Sequence, residues 1–437
     1  VLRVAKVRSG GHAYYLEVAA GGSGTGIEAA GRWMGRRSDP LGLSGIVRAA
    51  DLEAVLAGER PGTGEVLGTA RSRVQVAGFD MTFSAPKSVS VLHALGDPEV
   101  AEAVAAGHGE AVRAAMSYVE RRALAVRRTA AAVPVPVPTT VDGVAAAGFV
   151  HRVSRALDPH LHTHVVVANL GRGPEGTWSA LDGRGVYAHA SATDALYHVH
   201  LRHELSRRLG VTWETPRGGR ADIGGIGPEV RREFSRRAAE ITAHLAERGL
   251  SSGRAQTVAG FATRAEKDPH LGAEQLRPQW KERALAIGLG PRRLEAVLDR
   301  VLPDAGRGAE ETDLRLGRET AAEVLGPRHG AITRRDVVRA LGRSLADGAP
   351  ARRVEEAADR LLAEMRPESG QRGERDGPGV AERRHELIAP GHERAADTDF
   401  RRAELERSQL SRLLAGRGIG LDRSAADRHP DVGFGLG

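Results

Sequence analysis

The chain of 437 residues contains no cysteine. That excludes a disulfide framework and any thiolate metal site. The dipeptide Gly-Lys never occurs, so there is no G-x-x-x-x-G-K-S/T loop to cradle nucleotide phosphates. No stretch of about 18 apolar residues is present, and the opening VLRVAKVRSGG has no apolar signal region. The expectation is a soluble, cytoplasmic protein without membrane insertion. Lysine is scarce: four, against 59 arginines. With alanine and glycine also abundant, that skew fits a GC-rich genome more than a selected chemistry. The formal charge of +7 favours a polyanionic partner.

What is present is a histidine-rich segment, GFVHRVSRALDPHLHTHVVVAN, over Gly148–Asn169. Two apolar runs, Gly148–Arg155 and Leu161–Ala168, flank the turn signal Asp158-Pro159. Side chains alternate across a strand, so His162 and His164 share a face and Thr163 takes the other. Pairing His151 with His162 or His164 centres the loop at about residue 157, where the turn residues lie, and brings Cβ atoms to about 5 Å. Three convergent imidazoles can bind a divalent metal and leave coordination positions open. His160 is set aside as a turn residue beside Pro159.

The rest reads as alternating elements. Val4–Arg8 is a strand, followed by Gly10-Gly11 and the pair Tyr14-Tyr15. Gly21–Gly26 is a glycine-rich loop and Leu52–Leu56 a short helix. Val74–Phe83 is a strand whose apolar phase shifts near Ala77-Gly78, which predicts a bulge; Asp80 and Thr82 then share a face. Ser84-Ala85-Pro86 starts a helix, with Ser84 as a candidate cap. Glu99–Leu124 is a long helix. Val133–Pro138 alternates Val and Pro, an edge or polyproline segment. Trp178–Leu181 is a strand and Ser191–Leu209 a helix. Residues 228–290 are helical, with breaks at Gly249–Gly253 and Pro269. Short Arg-, Ala- and Leu-rich helices follow over 315–365. From Pro367 onward the composition predicts mostly disorder, with one helix around Arg401–Leu414.

Four segments together resemble the relaxase domain of conjugative transfer proteins of the TrwC/TraI (MobF) type, which are HUH endonucleases. They are VRSGGHAYYLE, GRWMGRRSDPLGLSG, GFDMTFSAPKSVSVL and FVHRVSRALDPHLHTHVVVANLGRGPEGTWSALDGRGVY. The resemblance covers roughly residues 1–290. It continues weakly through ITRRDVVRALGRSL, similar to the segment joining relaxase to helicase in such proteins. It implies an α/β (α+β) fold, a largely antiparallel central sheet flanked by helices. Together with the change in composition beyond Pro291, it divides the chain into three expected regions: a relaxase domain over 1–290, a helical extension over 291–366 and a mostly disordered tail over 367–437.

The resemblance also implies roles. Tyr14, first of its pair, matches the catalytic tyrosine; Asp80 matches the acidic residue beside the metal; His151, His162 and His164 match the metal ligands. Tyr15, Lys87, Arg152 and Arg155 are candidate DNA contacts, and no organic cofactor site is expected. The ion is Mg or Mn in use, with Zn, Ni or Co also suited to three histidines. The implied activity is nicking and rejoining of single-stranded DNA at a bacterial plasmid transfer origin, through a 5′-phosphotyrosine. Implied partners are that DNA, accessory relaxosome proteins, a coupling protein and a helicase in trans. Two departures stand out. A second tyrosine pair about eight residues downstream is missing, the stretch reading VAAGGSGTG. The helicase motif is also missing, so the sequence reads as a truncated or naturally short relaxase. The alternatives are a cleavage-incompetent origin-binding remnant and an HUH replication initiator.

Overall fold

The computed structural model describes residues 2–8, 15–16, 19, 30–35, 39–68, 76–130, 133–249, 271–298, 319, 321 and 332–365. Tyr14, the Gly21–Gly26 loop, and everything after 365, including the helix expected over 401–414, lie outside them.

One antiparallel sheet organises the molecule. Its strands are β1 (Leu2–Arg8), β2 (Arg32–Met34), β3 (Val76–Ser84), β6 (Gly143–Val153), β7 (Pro159–Arg172) and β8 (Trp178–Ser179). The order is β1-β3-β7-β6-β2, with β8 pairing the far end of β7. The bulge expected near Ala77 is present: Val7 pairs Gly78 and Arg8 pairs Val76, so Ala77 has no partner in the ladder. β4 (Ala125–Ala130) and β5 (Val133–Thr140) form a separate two-stranded ribbon. Alternate prolines remove donors from one edge, so β5 pairs on its other edge alone.

The strand period sorts the sheet into two faces. Phe79, Met81, Phe83, Leu161, Val165 and Val167 point to one. Against it pack α2 (Lys87–Leu95), α3 (Pro98–Arg122) and α4 (Gly183–Leu209). Each large apolar side chain buried here contributes about 1.5–3 kcal/mol. α3 starts where its sequence says it should: Asp97 accepts from the Val100 amide at 2.8 Å, and Pro98 follows. α4 starts eight residues before the expected Ser191. Gly185, in the added turns, lets the helix approach α3's end so closely that a Cβ would lie 2.2 Å from the Ala123 carbonyl oxygen.

The second face carries Ala145, Ala147, Phe149, Val166, Ala168 and Leu170. Tyr15, Ala19, Leu43, Val47 and α1 (Ala49–Leu56) cover these. Among the described residues this cluster does not extend over His162 and His164.

α5 (Pro228–Glu233), α6 (Arg236–Ala246), α7 (Ala273–Ala286) and α8 (Pro291–Glu295) follow, then α9 (Arg334–Ser344) and α10 (Ala351–Met365). The last two pack on the outer side of α4 and α3, where Val337, Leu341, Val354 and Leu361 meet Tyr118, Leu196 and Val199. The buried Arg202 of α4 pins them: its guanidinium donates to the carbonyls of Gly219 at 2.9 Å, Gly342 at 3.1 Å and Leu345 at 2.7 Å. Gly348, at φ +90°, comes so close to α4 that a Cβ would lie 2.4 Å from the His203 nitrogen. Gly348→Ala is expected to cost about 2 kcal/mol or more, through strain at positive φ and overpacking against backbone. Amide exchange should then accelerate over 334–361 while the sheet stays protected. Unchanged exchange there would mean that the helices are held by other contacts.

Candidate active site

The open end of the second face gathers the histidines. His151 pairs directly with His162, and Phe149 with His164. The ring centres of His151, His162 and His164 form a nearly equilateral triangle, with separations of 5.3, 5.3 and 5.4 Å. Three imidazoles on one tetrahedral ion, each bound at about 2.1 Å, place their ring centres about 5 Å apart. Among the described residues no three His, Asp or Glu side chains form a ready-made cage. The strand pairing that brings His151 opposite His162 sets this spacing.

The hydrogen bonds favour ligation. His164 Nδ1 lies 2.9 Å from Asp80 Oδ2, and His162 Nδ1 lies 2.9 Å from the His160 carbonyl oxygen. A carboxylate and a carbonyl can only accept, so each Nδ1 carries a proton, and in the neutral ring it is Nε2 that keeps the lone pair. That tautomer suits an Nε2 ligand held by an outer partner. Burial, then the neighbouring histidines, keeps His162 well below its ordinary pKa and hence neutral. The donor set therefore fits a divalent ion.

Asp80 stands on β3 beside this triangle, paired with Val166 of β7. It is buried and takes three donors: His164, the Tyr15 hydroxyl at 2.8 Å and, more weakly, Thr82 at 3.3 Å. Burial opposes its charge. The His164 ring, and the bonds from His164, Tyr15 and Thr82, outweigh this and hold its pKa below the ordinary value.

The other candidate residues separate. Tyr15 is 4% exposed, its ring 6.1 Å from Phe149 and 6.2 Å from His164; it is a wall of the site, not an open DNA contact. Lys87 donates to the Pro159 carbonyl at 2.7 Å, and burial lowers its pKa to about 8. Arg152 sits one residue from His151 and so on the opposite face, where its charge acts on His93 of α2. Arg155 lies in the 154–158 turn, half-buried.

Two expectations are corrected here. His160 is a strand residue, because Pro159 opens β7 as prolines can; its ring lies 4.5 Å from that of His162. Ser84 ends β3 opposite His162, and Pro86 takes the cap position of α2. Arg3 was missed altogether, since the apolar pattern starts β1 at Val4. The strand begins at Leu2, and exposed Arg3 pairs Thr82, which in turn pairs His164. Parity puts it on the histidine face.

Comparison with known proteins identifies relatives of the chain. The profile of the TrwC relaxase family matches residues 4–287. The multifunctional conjugation protein TraI of Escherichia coli K12 is 30% identical over 320 residues, covering 68% of this chain and 17% of TraI. A second Escherichia coli TraI is 30% identical over 285 residues, covering 61% of this chain and 15% of its own length. The chain thus spans less than a fifth of these relatives. Among solved structures, the metal-bound conjugative relaxase TrwC in complex with oriT DNA superposes with a TM-score of 0.59 at 28% identity, covering 66% of this chain and 99% of that one. A copper-bound TrwC–oriT complex gives 0.57 at 30% identity, with the same coverage. The chain belongs to the TrwC relaxase family.

Proposed function

We propose that this chain nicks and rejoins one DNA strand at a plasmid transfer origin. The observation that supports this most is the triangle of His151, His162 and His164, with Asp80 fixing the tautomer of His164. The tyrosine oxygen attacks phosphorus and forms a 5′-phosphotyrosine. The bond to the 3′ oxygen breaks, and that oxygen leaves as a free 3′-OH. Reversal rejoins the strand, so no nucleotide cofactor is needed.

The nucleophile in this reading is Tyr14. Tyr15 has its hydroxyl committed to Asp80 inside the wall, and the preceding tyrosine is its chain neighbour. Asp80 serves as the orienting carboxylate, because three donors already occupy it. Phenols have a pKa of about 10, so little phenolate exists at neutral pH. An ion on the three histidines supplies charge neutralisation and orientation of the scissile phosphate. Three imidazoles suit Zn, Ni, Co or Cu, and phosphoryl chemistry commonly uses Mg or Mn. Arg3, on the same face, is placed for a neighbouring phosphate of single-stranded origin DNA. Accessory relaxosome proteins, a coupling protein and a helicase in trans complete the proposed partners.

Cleavage should need the ion, and binding should not. Removal of metal by chelator is expected to stop nicking of a single-stranded origin oligonucleotide while leaving most of its affinity. That affinity should fall steeply with salt as arginine–phosphate contacts are screened. Equal loss of binding and cutting would assign the ion a structural role.

A further inference from the structure

β7 is irregular where it carries its histidines. β3 pairs it only as far as His162, opposite Ser84. On the other side the register shifts between His151–His162 and Val153–Pro159, so three steps along β7 answer two along β6. Residues 159–161 therefore have an incomplete ladder, next to His162, the first of the two candidate ligands on this strand. Buried backbone groups need partners, and a bulge re-aims the side chains beside it.

The partners come from beneath. Lys87 donates to the Pro159 carbonyl at 2.7 Å. The Leu161 amide donates to Ser90 Oγ at 3.0 Å, and Ser90 Oγ donates to the Pro86 carbonyl at 3.2 Å. The Leu161 carbonyl accepts from the Ala85 amide at 3.0 Å. His108 Nε2 meets Thr163 Oγ1 at 2.8 Å, and its Nδ1 meets the Tyr197 hydroxyl at 2.8 Å. Thr163, His108, Ser90 and Tyr197 are each at most 4% exposed. Thr163 thus stands as a hydroxyl in a row otherwise filled by Leu161, Val165 and Val167. Valine would fill that space equally well. An unpaired hydroxyl or imidazole there costs about 1–3 kcal/mol, so a polar chain in this layer needs a reason beyond packing.

We propose that Lys87, Ser90 and His108 are positioning residues. They tether the alternate positions 159, 161 and 163 of β7 from below, so that His162 and His164 above turn their Nε2 atoms to one ion. A slip of one residue would turn both rings to the other face, away from His151. The inference rests on the three-histidine reading of the metal site.

Zinc titration of the full chain, in competition with a chromophoric chelator, tests it. Thr163→Val removes the tethered hydroxyl at constant volume, and Thr163→Ser restores it. Thr163→Val is expected to weaken zinc about tenfold or more, the scale of losing an outer partner of a ligand. Thr163→Ser should stay close to the unaltered protein. Binding of origin oligonucleotide in chelator should be unchanged in both. Should Thr163→Val fail to fold, Ser90→Ala carries the same test, with weaker zinc binding again expected. A folded Thr163→Val or Ser90→Ala chain that melts earlier yet holds zinc as tightly as the unaltered protein would overturn the proposal. Zinc uptake unaffected by His162→Ala is a different result, and it would remove both the three-histidine reading and this inference.

Discussion

Tyr14→Phe is expected to abolish the covalent protein–DNA adduct, and Tyr15→Phe to retain it. Phenylalanine keeps the ring and removes only the nucleophilic oxygen, so Tyr14→Phe should lower cutting by about 10⁴-fold or more. Its DNA affinity and melting temperature should change little. Tyr15 is different. Its hydroxyl donates to the buried Asp80, so Tyr15→Phe leaves that carboxylate one donor short, a cost of about 1–3 kcal/mol. Cutting should slow moderately, as Asp80 and His164 lose definition, while an adduct still forms. Adduct surviving in Tyr14→Phe and lost in Tyr15→Phe would exchange the roles. Since no second tyrosine pair follows in VAAGGSGTG, one chain should hold one covalent strand at a time.

The next largest effect is expected at His164. It joins the histidine triangle to Asp80, so on the proposed reading His164→Ala removes a ligand and leaves the carboxylate without its main partner. Nicking in the presence of Mn²⁺ should fall by about 10³-fold, the scale of losing electrostatic stabilisation of a transferring phosphoryl group. Origin-oligonucleotide binding should remain. Asp80→Asn is expected to be milder, about 10–100-fold in metal affinity, because the ring stays and only its orientation weakens. Mn²⁺ affinity and initial cutting rates measured together check this. A His164→Ala chain that cuts at the normal rate would remove the histidine triangle from the mechanism.

Local pattern carried much of this site. Strand parity placed His162 and His164 together, and a loop centred near residue 157 placed His151 across from His162 or His164; the structure pairs it with His162. The same parity, taken one residue further, turns Arg152 to the other face. Its sequence position beside His151 therefore suggested a proximity that the pleat forbids. The bulge at Ala77 was visible as a phase shift, and beyond it Asp80 and Thr82 share the face of His164.

What was not legible depended on contacts far apart in the chain. Tyr15 and Asp80 are separated by 65 residues, and no spacing rule joins them. Lys87 has the look of a phosphate contact at a helix start; only the fold shows its ammonium spent on Pro159. Arg3 escaped because an exposed arginine at a strand end interrupts the apolar pattern that marks the strand. The helices over 334–365 were expected as elements, while their docking on α4 through Arg202 required the packed structure.

The most direct test is to map the covalent adduct. The full chain is incubated with Mn²⁺ and a single-stranded oligonucleotide carrying its origin, digested with protease and nuclease, and analysed by mass spectrometry. The account predicts one modified peptide from the Tyr14-Tyr15 segment, with the 5′ phosphate on Tyr14, and none when chelator is added. A phosphate on Tyr15, on another side chain, or cleavage that leaves no protein-linked strand would contradict it.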